Sequence, residues 1–258
     1  MRIRRKKWAR PELAVCPYYI EHAEDYKGRW NNVFPDGKPL YAELGCGKGG
    51  FAAQAALKYP DINWLAMDIK SDMLGVARRT VEKAFAEAGR EVSNLKLVSQ
   101  NIEMILTSFD ENDRIDRLYI NFCNPWPKDK HNKRRLTHTR QLNQYKVFLK
   151  DGGEIHFKTD DDELFEESLE YFADAGFTVK YLTRDLHASD YPDNLVTEHE
   201  KMFTEDGKKI KFLIAVKLVC KTAHQCCCKL CYNLLCRKQV FLSFNLLTNT
   251  IKSGKIIM

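Results

Sequence analysis

The run Leu40-Tyr41-Ala42-Glu43-Leu44 gives way to Gly45-Cys46-Gly47-Lys48-Gly49-Gly50, so an apolar strand carrying one acid breaks into four glycines within six residues. Few architectures accommodate that. Glycine reaches backbone conformations closed to other residues, so the chain can reverse sharply, approach a ligand closely and open a helix near Phe51. The pattern predicts a first strand and first helix that cradle a nucleotide-like cofactor between them.

Two chemistries share these letters. Gly45-x-Gly47-x-x-Gly50 has the spacing of a dinucleotide turn, in which backbone N–H groups at a helix start hold a pyrophosphate. Glu43-x-Gly45-x-Gly47-x-Gly49 has the spacing of an S-adenosylmethionine (SAM) loop. A carboxylate beside the turn suits a ligand carrying an ammonium and a sulfonium and would repel a pyrophosphate, which favours SAM. A purely structural strand-to-helix turn is the alternative.

A length of 258 residues allows one large α/β domain or one domain with an appendage. The formal charge of +6 misleads, because residues 218–258 hold six Lys+Arg and no acid. Removing those six from 41 leaves 35 against 35 Asp+Glu, so basic character in the body is local. Six of nine cysteines, Cys220 to Cys236, also fall there, leaving Cys16, Cys46 and Cys123. That is no disulfide framework, and with no signal-peptide pattern or membrane-length apolar run the reading is a reducing cytoplasm and no membrane. Cys226-Cys227-Cys228-x-x-Cys231 lacks a second pair at zinc spacing, so no metal is expected.

Along the chain, residues 1–38 read as a basic arm and an irregular lead-in. Arg2, Arg4, Arg5, Lys6, Lys7 and Arg10 crowd around Trp8, and such an arm would lay its charges along phosphates or stay solvated. Residues 39–217 read as one α/β domain. Strands are expected at Leu40–Leu44, Ile62–Asp68, Leu95–Val98, Ile115–Phe122, Glu154–Lys158, Phe177–Leu182 and Ile210–Val216. Helices are expected near Phe51–Leu57, Ser71–Ala88, Leu136–Leu149 and Asp160–Ala175, with Gly152-Gly153 as a turn and a polar loop holding His187 and His199. Residues 218–258 read as an atypical Cys-rich extension, partly disordered.

Asp68 ends the second strand, where an acid accepts from ribose hydroxyls; it could instead cap the next helix. Asn101 follows the third strand and is a candidate for the adenine base. The fourth strand opens into Cys123-Asn124-Pro125-Trp126-Pro127-Lys128, with Lys130, Lys133, Arg134 and Arg135 close behind. Two prolines fix the backbone around an aromatic plate beside a basic segment, an arrangement able to wall off a nucleobase while phosphates are held nearby.

With Phe157-Lys158-Thr159-Asp160 and Thr197-Glu198-His199-Glu200, the Glu43–Gly49 loop and the Asn121–Lys128 corner resemble the bacterial tRNA (guanine-N7-)-methyltransferase family over residues 1–217. The resemblance implies a Rossmann-like class I methyltransferase with a mostly parallel seven-stranded sheet and helices on both faces. It implies SAM as cofactor, held by Glu43, Gly45, Gly47, Asp68, Asn101 and Asn124. It implies tRNA as partner, with Lys128, Asp160, Thr197, Glu198, His199 and Glu200 on the guanine side and Lys130, Lys133, Arg134 and Arg135 touching RNA. Asn124 and Asp160 would serve the chemical step. The family commonly has Asp before Pro125, and here Asn124 stands there.

Guanine N7 bears a lone pair and no proton, so attack on the methyl group needs no general base, and alignment is the main task. A nicotinamide-dependent oxidoreductase and a tRNA-binding protein without catalysis are the alternatives; a monomer or weak homodimer is expected.

Overall fold

The computed structural model describes residues 5–218. The extension expected over 218–258 therefore lies, but for Leu218, outside the described residues, as does the tip of the basic arm.

An eight-stranded sheet runs through the molecule: β1 Tyr19–Ile20, β2 Leu40–Leu44, β3 Asn63–Asp68, β4 Leu95–Ser99, β5 Ile115–Asn121, β6 Leu149–Thr159, β7 Phe177–Thr183 and β8 Lys211–Lys217. The spatial order is β1-β4-β3-β2-β5-β6-β8-β7, parallel except where β8 pairs antiparallel with β6 and β7. From β2 the chain steps outward through β3 and β4, then returns to lay β5 on β2's other side. That reversal opens a crevice at the carboxyl ends of β2 and β5, where ligands bind in sheets of this kind.

Strand alternation builds a core on each face. Leu65 and Met67 point into one with Leu142, Tyr145, Phe165 and Phe172, which belong to α4 (Thr139–Phe148) and α5 (Asp162–Asp174). Trp64 and Ala66 point the other way, onto Phe51, Leu74, Ala77 and Val81. These last come from α2 (Gly50–Lys58) and α3 (Ser71–Glu87). In α3, Leu74, Ala77, Val81 and Phe85 recur at helical spacing, and all are buried.

The class expected from sequence is the class observed, with three local departures. The lead-in is less irregular than its punctuation suggests. It holds α1 (Ala9–Ala14) and β1, which adds an eighth strand beside β4. Gly152-Gly153 does not turn the chain between a helix and a strand but lies inside β6. Ile115 pairs with Leu149 and Arg117 with Glu154, so the glycines are taken up in a bulge, with Gly152 at φ +76°. Lastly, Thr197–Glu200 opens α6 (Glu198–Glu205) instead of lying in a loop.

The basic arm docks where described. α1 packs on α3 so closely that a Cβ on Gly75 would stand 2.5 Å from Ala9 Cβ. The Lys6 N–H donates to Asp72 Oδ1 (2.7 Å), and the Arg79 guanidinium lies 3.6 Å from the Trp8 ring centre. Among the described residues no helix is long and apolar enough to cross a membrane, and no group of three or more His, Cys, Asp or Glu could hold a metal ion.

Candidate active site

The glycine turn is pinned to the end of β3. Gly45 and Cys46 donate their N–H groups to the Met67 carbonyl at 2.9 and 2.8 Å, and Gly47 N–H donates to Asp68 Oδ2 at 3.0 Å. Gly45, Gly47 and Gly49 have φ of +86°, +54° and +75°. At Gly49 glycine is required twice over, since a Cβ there would meet Ala77 Cβ at 2.8 Å. The turn thus stands against α3 with its backbone facing the crevice.

Glu43, at the penultimate position of β2, is 3 % exposed. Its Oε1 accepts from Asn121 Nδ2 at 3.0 Å, while Oε2 has no hydrogen-bond partner. Burial pushes its carboxyl up to about 8, opposed by the Asn121 hydrogen bond and helped by the charge of Asp68. A half-satisfied buried carboxyl beside a glycine turn leaves one oxygen to be met by a further partner. Asp68 accepts from the Gly47 and Lys70 N–H groups (3.0 and 2.9 Å), and burial raises its carboxyl too. Just beyond, Ile69 is 56 % exposed, an apolar surface at the crevice edge that the sequence reading did not single out. Asn101 caps the turn after β4, its Oδ1 accepting from Glu103 N–H at 3.1 Å, and remains exposed.

The Pro-Trp-Pro corner follows β5, the strand beside β2, so it shares the carboxyl edge with the glycine turn. Phe122 and Trp126 are the only non-glycine residues with positive φ among those described, at 51° and 46°. Strain of that kind persists only where neighbours enforce it. Asn124 Oδ1 accepts from Trp126 N–H at 3.1 Å, and Arg135 Nε donates to the Pro125 carbonyl at 2.7 Å. Trp126 carries the Arg134 guanidinium over its ring at 4.0 Å.

Arg135 departs from the expectation that it touches RNA. It is 1 % exposed and bonded to Glu167 and the Pro125 carbonyl, so it braces the corner from behind. Lys128, Lys130, Lys133 and Arg134 are exposed.

On the far side, Thr197 and Glu200 form a capping box at the start of α6: Thr197 Oγ1 accepts from Glu200 N–H at 3.0 Å and Glu200 Oε2 accepts from Thr197 N–H at 3.4 Å. Glu200 is wholly buried, paired with Lys158, Asn194 and His187. Glu198 and His199 are exposed, with His199 stacked against Phe122 (ring centres 6.0 Å). Asp160, past the end of β6, accepts from Lys208 Nζ at 2.7 Å.

Asn121 and Lys158 stand within the motifs that carry the resemblance, but the sequence assigns neither a role. Asn121 is the last residue of β5 and Lys158 the last but one of β6, polar positions at the carboxyl ends of neighbouring strands, which is the one signal that could have marked them. A cavity of about 390 Å³ opens from these two residues along the sheet face below the segment 191–195, with Asn121, Lys158, Asn194 and Leu195 among the residues that line it. Its charged floor is already paired: Arg117 with Glu154 (2.7 Å), and Glu154 with His156 (2.9 Å) and Lys180 (2.9 Å).

A doubly wound sheet whose first glycine turn carries a buried acid, beside a braced aromatic corner, defines a class I methyltransferase. The fold is shared with a structure described as an antibiotic related methyltransferase (TM-score 0.51, 14 % identity, 70 % of this chain and 88 % of that one). It is shared also with the 16S rRNA methyltransferase KamB (TM-score 0.50, 12 % identity, 70 % and 89 %).

The chain belongs to the family described as Putative methyltransferase (Methyltransf_4), which matches residues 37–213. It is 60 % identical over 217 residues to a Clostridium beijerinckii protein named tRNA (guanine-N(7)-)-methyltransferase, covering 84 % of this chain and 99 % of that one. A Clostridium perfringens protein of the same name is 58 % identical over 219 residues, covering 84 % and 100 %.

Proposed function

We propose that this protein is a SAM-dependent tRNA (guanine-N7-)-methyltransferase. The observation that carries the reading is the buried Glu43 carboxyl with one unpartnered oxygen, standing at the glycine turn of a chain 60 % identical to a protein of that name. An oxidoreductase reading gains nothing at the same place, since the buried carboxyl offers a pyrophosphate no positive charge.

Gly45, Gly47, Glu43, Asp68, Asn101 and Asn124 would hold SAM, which supplies an electrophilic methyl group. Glu43 receives the cationic end, and Asp68 keeps acceptor capacity on both oxygens for a diol. Asn101 offers its amide to a base, with Ile69 as an apolar surface beside it. Asn124 already spends its Oδ1 on the corner, so its Nδ2 is the atom that can face either reactant.

Because N7 has no proton to lose, these residues align the reactants and support the charge that passes to the purine. Asp160 offers a carboxylate for the guanine N–H groups, and Lys128 and Thr197–His199 line the approach. Glu200 acts differently from a direct guanine ligand: its carboxylate is consumed in fixing Thr197 and the start of α6. Lys130, Lys133 and Arg134 offer exposed charge to phosphates.

Incubation with methyl-labelled SAM and unmodified tRNA, followed by digestion and mass spectrometry, tests the reading. 7-Methylguanosine in the variable loop is expected. tRNA bound without transfer would leave a binding protein, and label at another base atom would overturn the assignment of the target.

A further inference from the structure

Glu43, Asn121, Lys158 and Glu200 form a row of polar side chains across the carboxyl edge of the sheet. Asn121 donates to Glu43, and Asn121 and Lys158 are register partners on β5 and β6. Lys158 Nζ donates to Glu200 Oε2 at 3.1 Å, to the Leu195 carbonyl at 3.0 Å and to Asn194 Oδ1. Lys158 is 5 % exposed and Glu200 0 %. An ion pair this deep gains little over well-packed apolar side chains, because removing both charges from water offsets their attraction. Its contribution is therefore sought in where it holds the chain.

What it holds is the segment Asn194–Glu200, which ends in the α6 capping box. All three of the ammonium's hydrogens are spent on that segment, and its charge is also felt at Glu43, one side chain away. A second tie reaches the same segment from the cofactor turn: Lys48 Nζ lies 2.6 Å from Glu198 Oε1, and Gln54 Nε2 donates to the Val196 carbonyl at 3.3 Å.

We infer that Lys158 is a positioning residue that registers Asn194–Glu200 over the crevice and couples it to occupancy of the Glu43 side. This rests on the reading of the crevice as a SAM and guanine site. When a cationic ligand draws Glu43 into its ionised form, Lys158 gains a second carboxylate neighbour. The segment it holds then sits in a site with a more favourable field, so cofactor and RNA bind with positive coupling. By linkage the coupling is reciprocal.

The test measures the dissociation constant for unmodified tRNA with and without saturating S-adenosylhomocysteine, in wild type, K158M and K158M/E200Q. The double variant removes both charges, so no buried carboxylate is stranded if K158M alone unfolds. S-adenosylhomocysteine should tighten tRNA binding at least threefold in wild type and less than 1.5-fold in the folded variant, roughly the span of a weak coupling. Equal ratios in wild type and variant overturn the inference, since a merely structural lysine would weaken binding equally in both states. Amide exchange in the wild-type protein gives a second readout that needs no variant. S-adenosylhomocysteine should slow exchange over 194–203, and unchanged exchange there also overturns the inference. Failure of wild type to bind S-adenosylhomocysteine at all would instead sink the reading of the crevice, and with it the ground on which this inference stands.

Discussion

Lys48, in the glycine turn, and Glu198, in the first turn of α6, meet at 2.6 Å although they are 150 residues apart in sequence. Both side chains are more than half exposed, so the pair adds little to folding. Its effect is local: it ties the glycine turn to the start of α6. K48A should leave the thermal midpoint unchanged and raise the KM for tRNA by about twofold to fivefold at low salt, an effect screened away as ionic strength approaches 0.5 M. Steady-state kinetics at several salt concentrations checks this.

Glu43 sets a pH dependence. In the ligand-free protein its carboxyl keeps a proton up to about pH 8, because burial disfavours the charge. A cationic ligand favours the ionised form, so binding releases a proton, and affinity for SAM should tighten between pH 6 and 7.5 by up to about tenfold per unit. Calorimetry in buffers of different ionisation enthalpy counts that proton, and E43Q should flatten the profile while weakening binding. The sign for stability is the reverse. The unfolded chain gives up this proton from about 4.5 upward and the folded one only near 8, so the ligand-free fold loses stability as pH rises through that window.

Neighbouring arginines should separate cleanly. Arg134 is exposed over Trp126, so R134A should leave stability nearly unchanged, weaken tRNA binding and lower the salt slope of log Kd by about 1. Arg135 is buried against Pro125 and Glu167, so R135M should cost about 2–4 kcal/mol in denaturant unfolding. Activity in that variant should fall with loss of the corner, at every salt concentration.

His156 makes the fold acid-sensitive. Burial holds its imidazole down at about 4, partly offset by the Glu154 hydrogen bond, so the folded protein keeps it neutral where the unfolded chain protonates it near 6.5. The contribution of this group should therefore fall as pH drops from 6.5 towards 4, by at most about 1.4 kcal/mol per unit, against the opposite slope that Glu43 supplies above pH 4.5. Glu154, held down to about 2 first by His156 and then by Lys180 and Arg117, adds to the loss below its ordinary value of 4.5. Unfolding midpoints of wild type and H156Q at pH 7, 6 and 5 give the comparison. The variant should lose much of the slope above pH 4.5.

Most of the sheet was legible because its strands are apolar runs closed by glycine, proline or acid, and α3 because Leu74, Ala77, Val81 and Phe85 keep a single face. β1 was not, since two residues leaning on β4 make no periodic signal. The capping box at Thr197 and Glu200 was written in the sequence as Thr-x-x-Glu ahead of Met202 and Phe203. It was read as a loop because the surrounding stretch is polar. The strand-end positions of Glu43 and Asp68 are recognisable because each acid follows an apolar run, and that of Asp160 because it comes just after an expected strand. Arg135 was not separable from Arg134 by composition, since only packing against Glu167 distinguishes a brace from a surface cation. Lys158 shared that fate, its partners lying 36 to 42 residues away.

The clasp between Ala9 and Gly75 has a practical side. A methyl group at position 75 would push α1 off its seat, and with it the Lys6 N–H that donates to Asp72. Loosening of that kind would show first as faster amide exchange over residues 9–14 in a G75A variant, before any change in the sheet.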